Sequence, residues 1–237
     1  MLTVIDEITR SGARLAASVS ALTDAEVRAP AALPGWTRGH VVAHVTSSIH
    51  AYLWMLALAR TGTEPGPRAT GAQLARTVEE SAAGAATGLT AGLRSALAEL
   101  AQAADTMPAQ AWDTRVTALA GWPHPARYVL HRAWREFETH HVDLGTGYRA
   151  ADWPSAYVAW ALDDTLAALA ERRFPVHRVD AVDLGRSWTV SPLGPTVSAP
   201  GHALLAWLAG RTDATALTHD HPLPAPPAWP LPLATGR

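Results

Sequence analysis

Apolar residues recur at helical spacing along most of the first 145 positions of the chain. Over residues 3–22 they follow the period of an amphipathic helix, at Val4, Ile5, Ile8, Leu15, Val19 and Leu22. A second helix is predicted from Arg38 to about Arg60, because the hydroxyl of Thr37 is a suitable N-cap and a Pro34-Gly35 turn precedes it.

Two more helices are predicted over about 71–104 and about 125–143. Three glycines weaken the prediction of an unbroken third helix, namely Gly84, Gly88 and Gly92. The fourth helix is expected to stop near Gly145. Four helices joined by connections of mixed length predict a bundle.

The pattern changes after about residue 150. Asp152 is a suitable N-cap for a fifth helix, with Pro154 in its first turn. Short runs then predict strands at 176–182, 187–190, 196–198 and 216–218, with a short helix at 201–209. The sequence therefore predicts an α+β protein, with an all-α domain at 1–150 and a small α+β domain at 151–237.

Composition narrows the chemistry that the chain can perform. It has 237 residues, 48% of them hydrophobic, a formal net charge of -2 and no cysteine. Disulfides and thiolate ligands are thereby excluded, and no basic patch suited to nucleic acid is present. The N-terminus lacks the apolar core of a secretion signal, and no run of 18 or more uncharged apolar residues occurs. We expect a soluble, cytoplasmic protein, monomeric and without a membrane partner.

Candidate metal ligands stand four residues apart in the fourth helix. Glu136 and His140 occupy positions i and i+4, so their side chains share one helix face. The second helix offers a third ligand from His40 or His44, which are themselves an i,i+4 pair and could chelate separately. Two imidazoles and one carboxylate leave a coordination position open, as in catalytic zinc sites. The competing interpretation of each residue is an ordinary polar side chain on a half-apolar helix.

Two motifs resemble the mycothiol-dependent maleylpyruvate isomerase family, which belongs to the DinB-like group of metal-binding four-helix bundles. They are Leu33-Pro-Gly-Trp-Thr-Arg-Gly-His-Val-Val-Ala-His44 and Arg135-Glu136-x-x-x-His140-His-Val-Asp-Leu-Gly145. The C-terminal half is also similar, at 183–190, 204–211 and the Pro-rich segment 224–229. The resemblance implies a DinB-like bundle followed by the small α+β domain.

The resemblance also implies site residues. The family's metal ligands match His44, Glu136 and His140, and His40 becomes a residue of the pocket or one that supports the ligands from behind. A functional arginine of the C-terminal domain matches Arg211. Asp143 is placed to orient His140, or to cap the helix, and His141 is expected to be structural.

One position departs from the family pattern. The maleylpyruvate isomerases carry an arginine four residues before an Ile-Glu pair, and Val78-Glu79 matches that pair here. The arginine position is therefore occupied by Leu74, although Arg68 or Arg76 could substitute from a neighbouring turn. Because arginine binds carboxylates through paired N–H donors, this departure leaves the identity of the substrate open.

The resemblance implies a divalent metal, with zinc preferred, and mycothiol as the thiol that attacks a small-molecule substrate. The metal would lower the pKa of the thiol. Addition to an electron-poor double bond, bond rotation and loss of the thiol would isomerise the substrate, with Arg211 stabilising enolate charge. A transferase would stop after the addition. Two other classes stay open: a hydrolase using metal-bound hydroxide, and a non-catalytic small-molecule-binding protein on the same fold.

Overall fold

The chain divides into two compact units, Met1–Tyr148 and Arg149–Arg237. Helices account for most of the first unit. The computed structural model describes residues 2–232 and 234, with the side chains of residues 2 and 3 excepted. The first unit contains α1 (Leu2–Ser20), α2 (Asp24–Arg28), α3 (Arg38–Thr61), α4 (Gly71–Ala82), α5 (Ala86–Asp105) and α6 (Arg127–Asp143). Helix α3 packs against α4, α5 and α6, and α1 packs against α5 and α6. The predicted helical bundle is confirmed.

Helix α3 begins where the sequence predicts. The Thr37 hydroxyl accepts the backbone N–H of His40 at 3.3 Å, and Nδ1 of His40 accepts the backbone N–H of Thr37 at 3.2 Å. This is a capping box in which histidine replaces the usual Glu or Gln. The helix ends at Gly62, whose φ of 70° is left-handed.

The prediction of one long third helix is wrong, because residues 83–85 separate α4 from α5. The N-cap residue Ala85 has no side-chain cap of its own. Instead, Oδ1 of Asp24 in α2 accepts the N–H of Ala86 at 2.8 Å. A polar group distant in sequence therefore supplies the cap for α5, and no local pattern encodes it.

Gly39 lies where the start of α3 meets two other segments. A Cβ at this position would stand 2.7 Å from the carbonyl oxygen of Ala82 and 3.2 Å from that of Val27. Both neighbours are backbone atoms and cannot rotate away, so only glycine fits without a shift of the helices.

We expect Gly39→Ala to lower the free energy of unfolding by about 1–3 kcal/mol, because overpacking costs more than the gain in helix propensity. Gly92→Ala is the matched control, since a Cβ there would meet no atom within 4 Å. It should stabilise α5 by about 0.5–1 kcal/mol. Urea unfolding of the two variants measures both effects, and equal stabilities would contradict the predicted steric clash.

A short hairpin precedes α6. It pairs β1 (Arg115–Thr117) with β2 (Pro123–Pro125) in antiparallel register. The hairpin places His124 in the interior, where its side chain is fully buried.

The second unit combines helices with a four-stranded sheet, which confirms the α+β class. Its elements are α7 (Ser155–Glu171), β3 (Arg178–Ala181), β4 (Arg186–Thr189), β5 (Thr196–Ala199), α8 (Gly201–Leu208) and β6 (Thr218–His219). The strand order is β4-β3-β5-β6, with β3 and β5 parallel and the outer pairs antiparallel. Helix α8 packs against α7, β3 and β5.

The predicted cap of α7 is wrong. The helix begins after Pro154, which acts as its N-cap without a side-chain hydrogen bond. Asp152 instead ends a 3₁₀ turn, where its Oδ2 accepts the N–H of Arg149 at 2.8 Å.

By length and composition, α3 is long and apolar enough to cross a membrane, and it is the one such helix among the described residues. Its most hydrophobic window has a mean hydropathy of 1.4 and is 44% buried within the protein. A core helix passes the same test, and the packing of α3 against α4, α5 and α6 is that of a core helix.

Candidate metal centre

Helices α3 and α6 bring three of the candidate ligands together. The potential ligand atoms of His44, Glu136 and His140 all lie within 4.8 Å of one another. Oε2 of Glu136 is 3.4 Å from Nε2 of His44 and 3.4 Å from Nε2 of His140. The two imidazole rings meet edge to face, with centroids 4.7 Å apart. Each helix thus contributes at least one side chain to a single cluster.

The cluster suits a divalent cation. Oε2 of Glu136 is buried and has no hydrogen-bond partner among the described residues. Its separation from each imidazole nitrogen is longer than a normal hydrogen bond, so the side chains do not satisfy one another. A buried carboxylate oxygen without a partner is costly, whereas a shared cation would satisfy it together with both rings. Imidazole and carboxylate ligands suit zinc and its first-row neighbours.

Asp143 supports this arrangement from the other side of His140. Its Oδ2 lies 2.9 Å from Nδ1 of His140, which leaves Nε2 directed at the cluster. A carboxylate behind a histidine ligand holds the ring in orientation and makes it a stronger base. The 2.9 Å separation is compatible with the orienting role of Asp143, which stays a prediction.

The charges in and around the cluster shift the pKa values of Glu136 and His140. Burial alone raises the pKa of Glu136, but the two imidazoles outweigh it and hold the pKa well below its ordinary value. Burial alone lowers the pKa of His140, but Asp143 and Glu136 outweigh it and raise the pKa to about 9. The pocket thus favours an ionised carboxylate next to positive charge.

His40 does not join the three clustered residues. Its Nδ1 belongs to the capping box with Thr37, and its Nε2 lies 3.1 Å from Oε2 of Glu79. Both nitrogens of the ring are therefore engaged elsewhere. Between the two histidines of the first motif, the structure brings only His44 to Glu136 and His140.

Two other predicted residues, Arg211 and His141, are not among the three clustered ligands. Arg211 belongs to the second unit, just after α8, where its Nη1 donates to the carbonyl of Ala209 at 2.7 Å. Its catalytic role stays a prediction. His141 is buried, with Nε2 2.8 Å from Oγ of Ser18 and its ring stacked on Tyr148 at 3.8 Å. This is the structural role predicted for it.

A cavity of about 530 Å³ opens on His44 and Glu136. Its walls include Trp36 from the loop before α3, and Leu74 and Val78 from α4. This volume lies in the range of small-molecule sites, which are mostly apolar with a few polar groups. A smaller apolar cavity of about 250 Å³, lined by α1 and α5, includes no residue of the cluster.

Sequence reasoning missed two further residues of the cavity wall, Tyr52 and Arg132. Tyr52 is only 2% exposed, and burial first and the charge of Glu136 second raise its pKa well above the ordinary value. Its hydroxyl therefore stays protonated beside the carboxylate. The guanidinium of Arg132 lies 5.0 Å from the ring centroids of both Tyr52 and Trp122. No motif marked either residue, since a tyrosine and an arginine on half-buried helices are common.

His124, from the hairpin, contacts the guanidinium of Arg132. Its Nδ1 is 2.9 Å from the carbonyl of Pro125, which can only accept, so this nitrogen bears the proton. Its Nε2 is 3.2 Å from Nη1 of Arg132 and accepts from the guanidinium. Burial, followed by the nearby arginines, lowers the pKa of His124 from 6.5 to about 4, although the Pro125 hydrogen bond opposes the shift.

This shift makes stability depend on pH. Between about pH 6.5 and 4 the unfolded chain binds a proton at His124 that the folded protein does not, so stability falls as the pH falls through this range. The loss from this group should be on the order of 3 kcal/mol. Urea unfolding of wild type and His124→Gln measures it, because the difference in slope against pH isolates His124 from the carboxylates. Identical slopes would contradict the prediction.

Comparison with known proteins adds three findings. A family model described as the mycothiol maleylpyruvate isomerase N-terminal domain matches residues 8–145, more than half of the chain. A crystal structure of the mycothiol-dependent maleylpyruvate isomerase is 22% identical and superposes with a TM-score of 0.84, covering 96% of each chain. A histidine-to-alanine mutant of that isomerase is also 22% identical, with a TM-score of 0.83 and the same coverage. No curated protein matches the chain significantly in sequence. The structural likeness extends over both units and establishes a shared fold.

Proposed function

Since the chain belongs to the mycothiol maleylpyruvate isomerase family, we propose that it is a metal-dependent enzyme that adds mycothiol to a small electrophile, as an isomerase or an S-transferase. The observation that supports this most directly is the cluster of His44, Glu136 and His140 at the wall of a cavity large enough for a small molecule. The buried, unsatisfied Oε2 of Glu136 indicates that a cation belongs in the cluster.

His44, Glu136 and His140 would hold the cation, with zinc preferred from the ligand types. Bound there, the metal would supply Lewis acidity that lowers the pKa of a thiol. Asp143 fixes the ring of His140, and Tyr52 keeps a protonated hydroxyl beside Glu136. Trp36, Leu74 and Val78 exclude water from the cavity and favour the apolar part of a substrate.

The two candidate reactions share one first step. The thiolate sulfur forms a bond to the β-carbon of an electron-poor double bond, and the π electrons move towards the activating group. In an isomerase, rotation about the resulting single bond precedes loss of the same thiolate, so no atom is gained or lost. In a transferase, protonation of the α-carbon would leave the thioether as product.

His40 and Arg211 have different roles in this proposal. His40 holds the side chain of Glu79, which lines the cavity, and is therefore a positioning residue. Arg211 would stabilise enolate charge on the substrate, which is the role that the resemblance in sequence implies for it.

The proposal is tested by measuring metal content and thiol-dependent turnover of the purified protein. We expect close to one divalent metal per chain, and consumption of a cis-configured unsaturated carboxylate only when mycothiol is present. Nuclear magnetic resonance of the substrate distinguishes a trans isomer from a thioether. Turnover without thiol would instead support a hydrolase, and the absence of stoichiometric metal would support a non-catalytic binding protein.

A further inference from the structure

Arg132 lies one helical turn before Glu136 on α6, so the two side chains project from the same helix face. Both line the cavity that opens on the metal cluster. Of the described residues that line this cavity, Arg132 is the only arginine, and the wall contributed by α4 includes the apolar Leu74. A fixed positive charge thus stands beside the candidate metal centre.

The guanidinium of Arg132 is held in place by neutral groups. The rings of Tyr52 and Trp122 each lie 5.0 Å from it, and Nε2 of the neutral His124 accepts one N–H at 3.2 Å. Stacking on aromatic rings and a single acceptor restrict the guanidinium without neutralising it. The arginine is preorganised, which reduces the entropy lost when it binds a ligand.

Arg132 has no anionic hydrogen-bond or salt-bridge partner within the part of the chain that the structure describes. No salt bridge among the described residues pairs it with a carboxylate. Arg132 has five N–H donors. One is directed at His124, and another makes a weak contact with the sulfur of Met55, 3.9 Å away. A second arginine lies nearby: burial first and the charge of Arg132 second lower the pKa of Arg68. A half-buried cation next to like charge, with no salt bridge among the described residues, favours an anion from solution.

We propose that Arg132 is the specificity-determining residue that anchors a carboxylate of the substrate. This inference rests on the proposed function, because it assigns the anchored carboxylate to the electrophile that the thiol attacks. The planar guanidinium presents paired N–H donors to the two carboxylate oxygens, and His124 positions it for that contact. The enzyme therefore selects an anionic electrophile over a neutral analogue of the same shape.

The test measures equilibrium binding of succinate and of its neutral diamide, succinamide, by isothermal titration calorimetry. It uses the full chain, once loaded with zinc and once treated with a chelator. Wild type is expected to bind succinate at least about tenfold more tightly than succinamide in both forms. Arg132→Met should abolish this preference, and Arg132→Lys should retain only part of it, because an ammonium cannot donate in parallel.

Arg94→Met is the matched control, since it removes an exposed arginine from α5, outside the walls of this cavity. It should leave the preference for succinate unchanged. Thermal melting of each variant verifies folding. If Arg132→Met does not fold, the preference for succinate is compared between wild type and Arg132→Lys, and an unreduced preference in Arg132→Lys contradicts the inference.

Failure of the inference can be distinguished from failure of the proposed function. If wild type shows no preference for succinate, or Arg132→Met keeps the preference, Arg132 is not the anchor even when metal and thiol activity are present. If the preference depends on Arg132 but no metal or thiol activity is found, the anion site stands and the proposed reaction is wrong.

Discussion

Replacing His44, Glu136 or His140 singly with alanine is expected to abolish stoichiometric metal binding and to lower thiol-dependent turnover at least about a hundredfold. Each replacement leaves two protein ligands where three converge. Even residues that only orient ligands typically change metal affinity by about 10–100-fold, so loss of a ligand should exceed that. Metal content of the purified variants, and competition with a coloured chelator, measure the effect.

Two variants serve as graded controls for the three ligands. His40→Ala should keep its metal, because both ring nitrogens of His40 are engaged by Thr37 and Glu79. Asp143→Asn should retain metal with an affinity lowered about 10–100-fold, since it weakens the support of His140 without removing a ligand. The ligand assignment is wrong if His44→Ala retains metal while His40→Ala loses it.

Replacing Glu138 with alanine should produce the largest loss of stability among the variants considered. Glu138 is 1% exposed and joins α6 to α1. It accepts hydrogen bonds from Nη2 of Arg14 at 2.7 Å, from the hydroxyl of Tyr148 at 2.6 Å and from the hydroxyl of Ser11. Removing one partner of a buried charged network costs about 3–5 kcal/mol, because the others stay buried without it.

Urea unfolding of Glu138→Ala against wild type measures this loss. Glu99→Ala is the matched control, because Glu99 is exposed on α5 and should change stability by less than about 0.5 kcal/mol. Metal content should be unaffected in Glu138→Ala wherever it is folded, since Glu138 is not one of the clustered ligands. A loss under about 1 kcal/mol would mean that the network contributes little to folding.

Local signals in the sequence were sufficient to predict where α3 starts and to identify the candidate ligands. Thr37 is a cap whose partner is three residues away, and Glu136 and His140 are separated by one helical turn, so both depend on short-range geometry. The convergence of His44 with that pair spans about ninety residues of sequence. Helical periodicity alone could not select it over His40, and the resemblance to a known family was needed.

Two of the three features that the sequence did not reveal depend on contacts between distant segments, and the third is a short local hairpin. The break between α4 and α5 is stabilised by Asp24, and the burial of His124 depends on a short hairpin whose second strand begins and ends with proline. In the sequence Arg132 resembles any surface arginine, whereas in the structure Tyr52, Trp122 and His124 contact its guanidinium. Asp24 lies 62 residues from Ala86, and Tyr52 lies about 80 residues from Arg132, so neither partner falls within the window over which sequence patterns operate. The hairpin is local, but its strands of three residues are too short to show an alternating pattern.

Helix α6 places Arg132, Glu136 and His140 in one row, each four residues from the next, while Glu138 and His141 bond to Ser11 and Ser18 of α1 on another side. Inserting or deleting one residue within this row would turn everything beyond it by about 100° around the helix axis. Side chains in this row can therefore be exchanged one at a time during evolution, whereas a one-residue insertion or deletion between positions 132 and 140 would separate the cavity wall from the metal cluster.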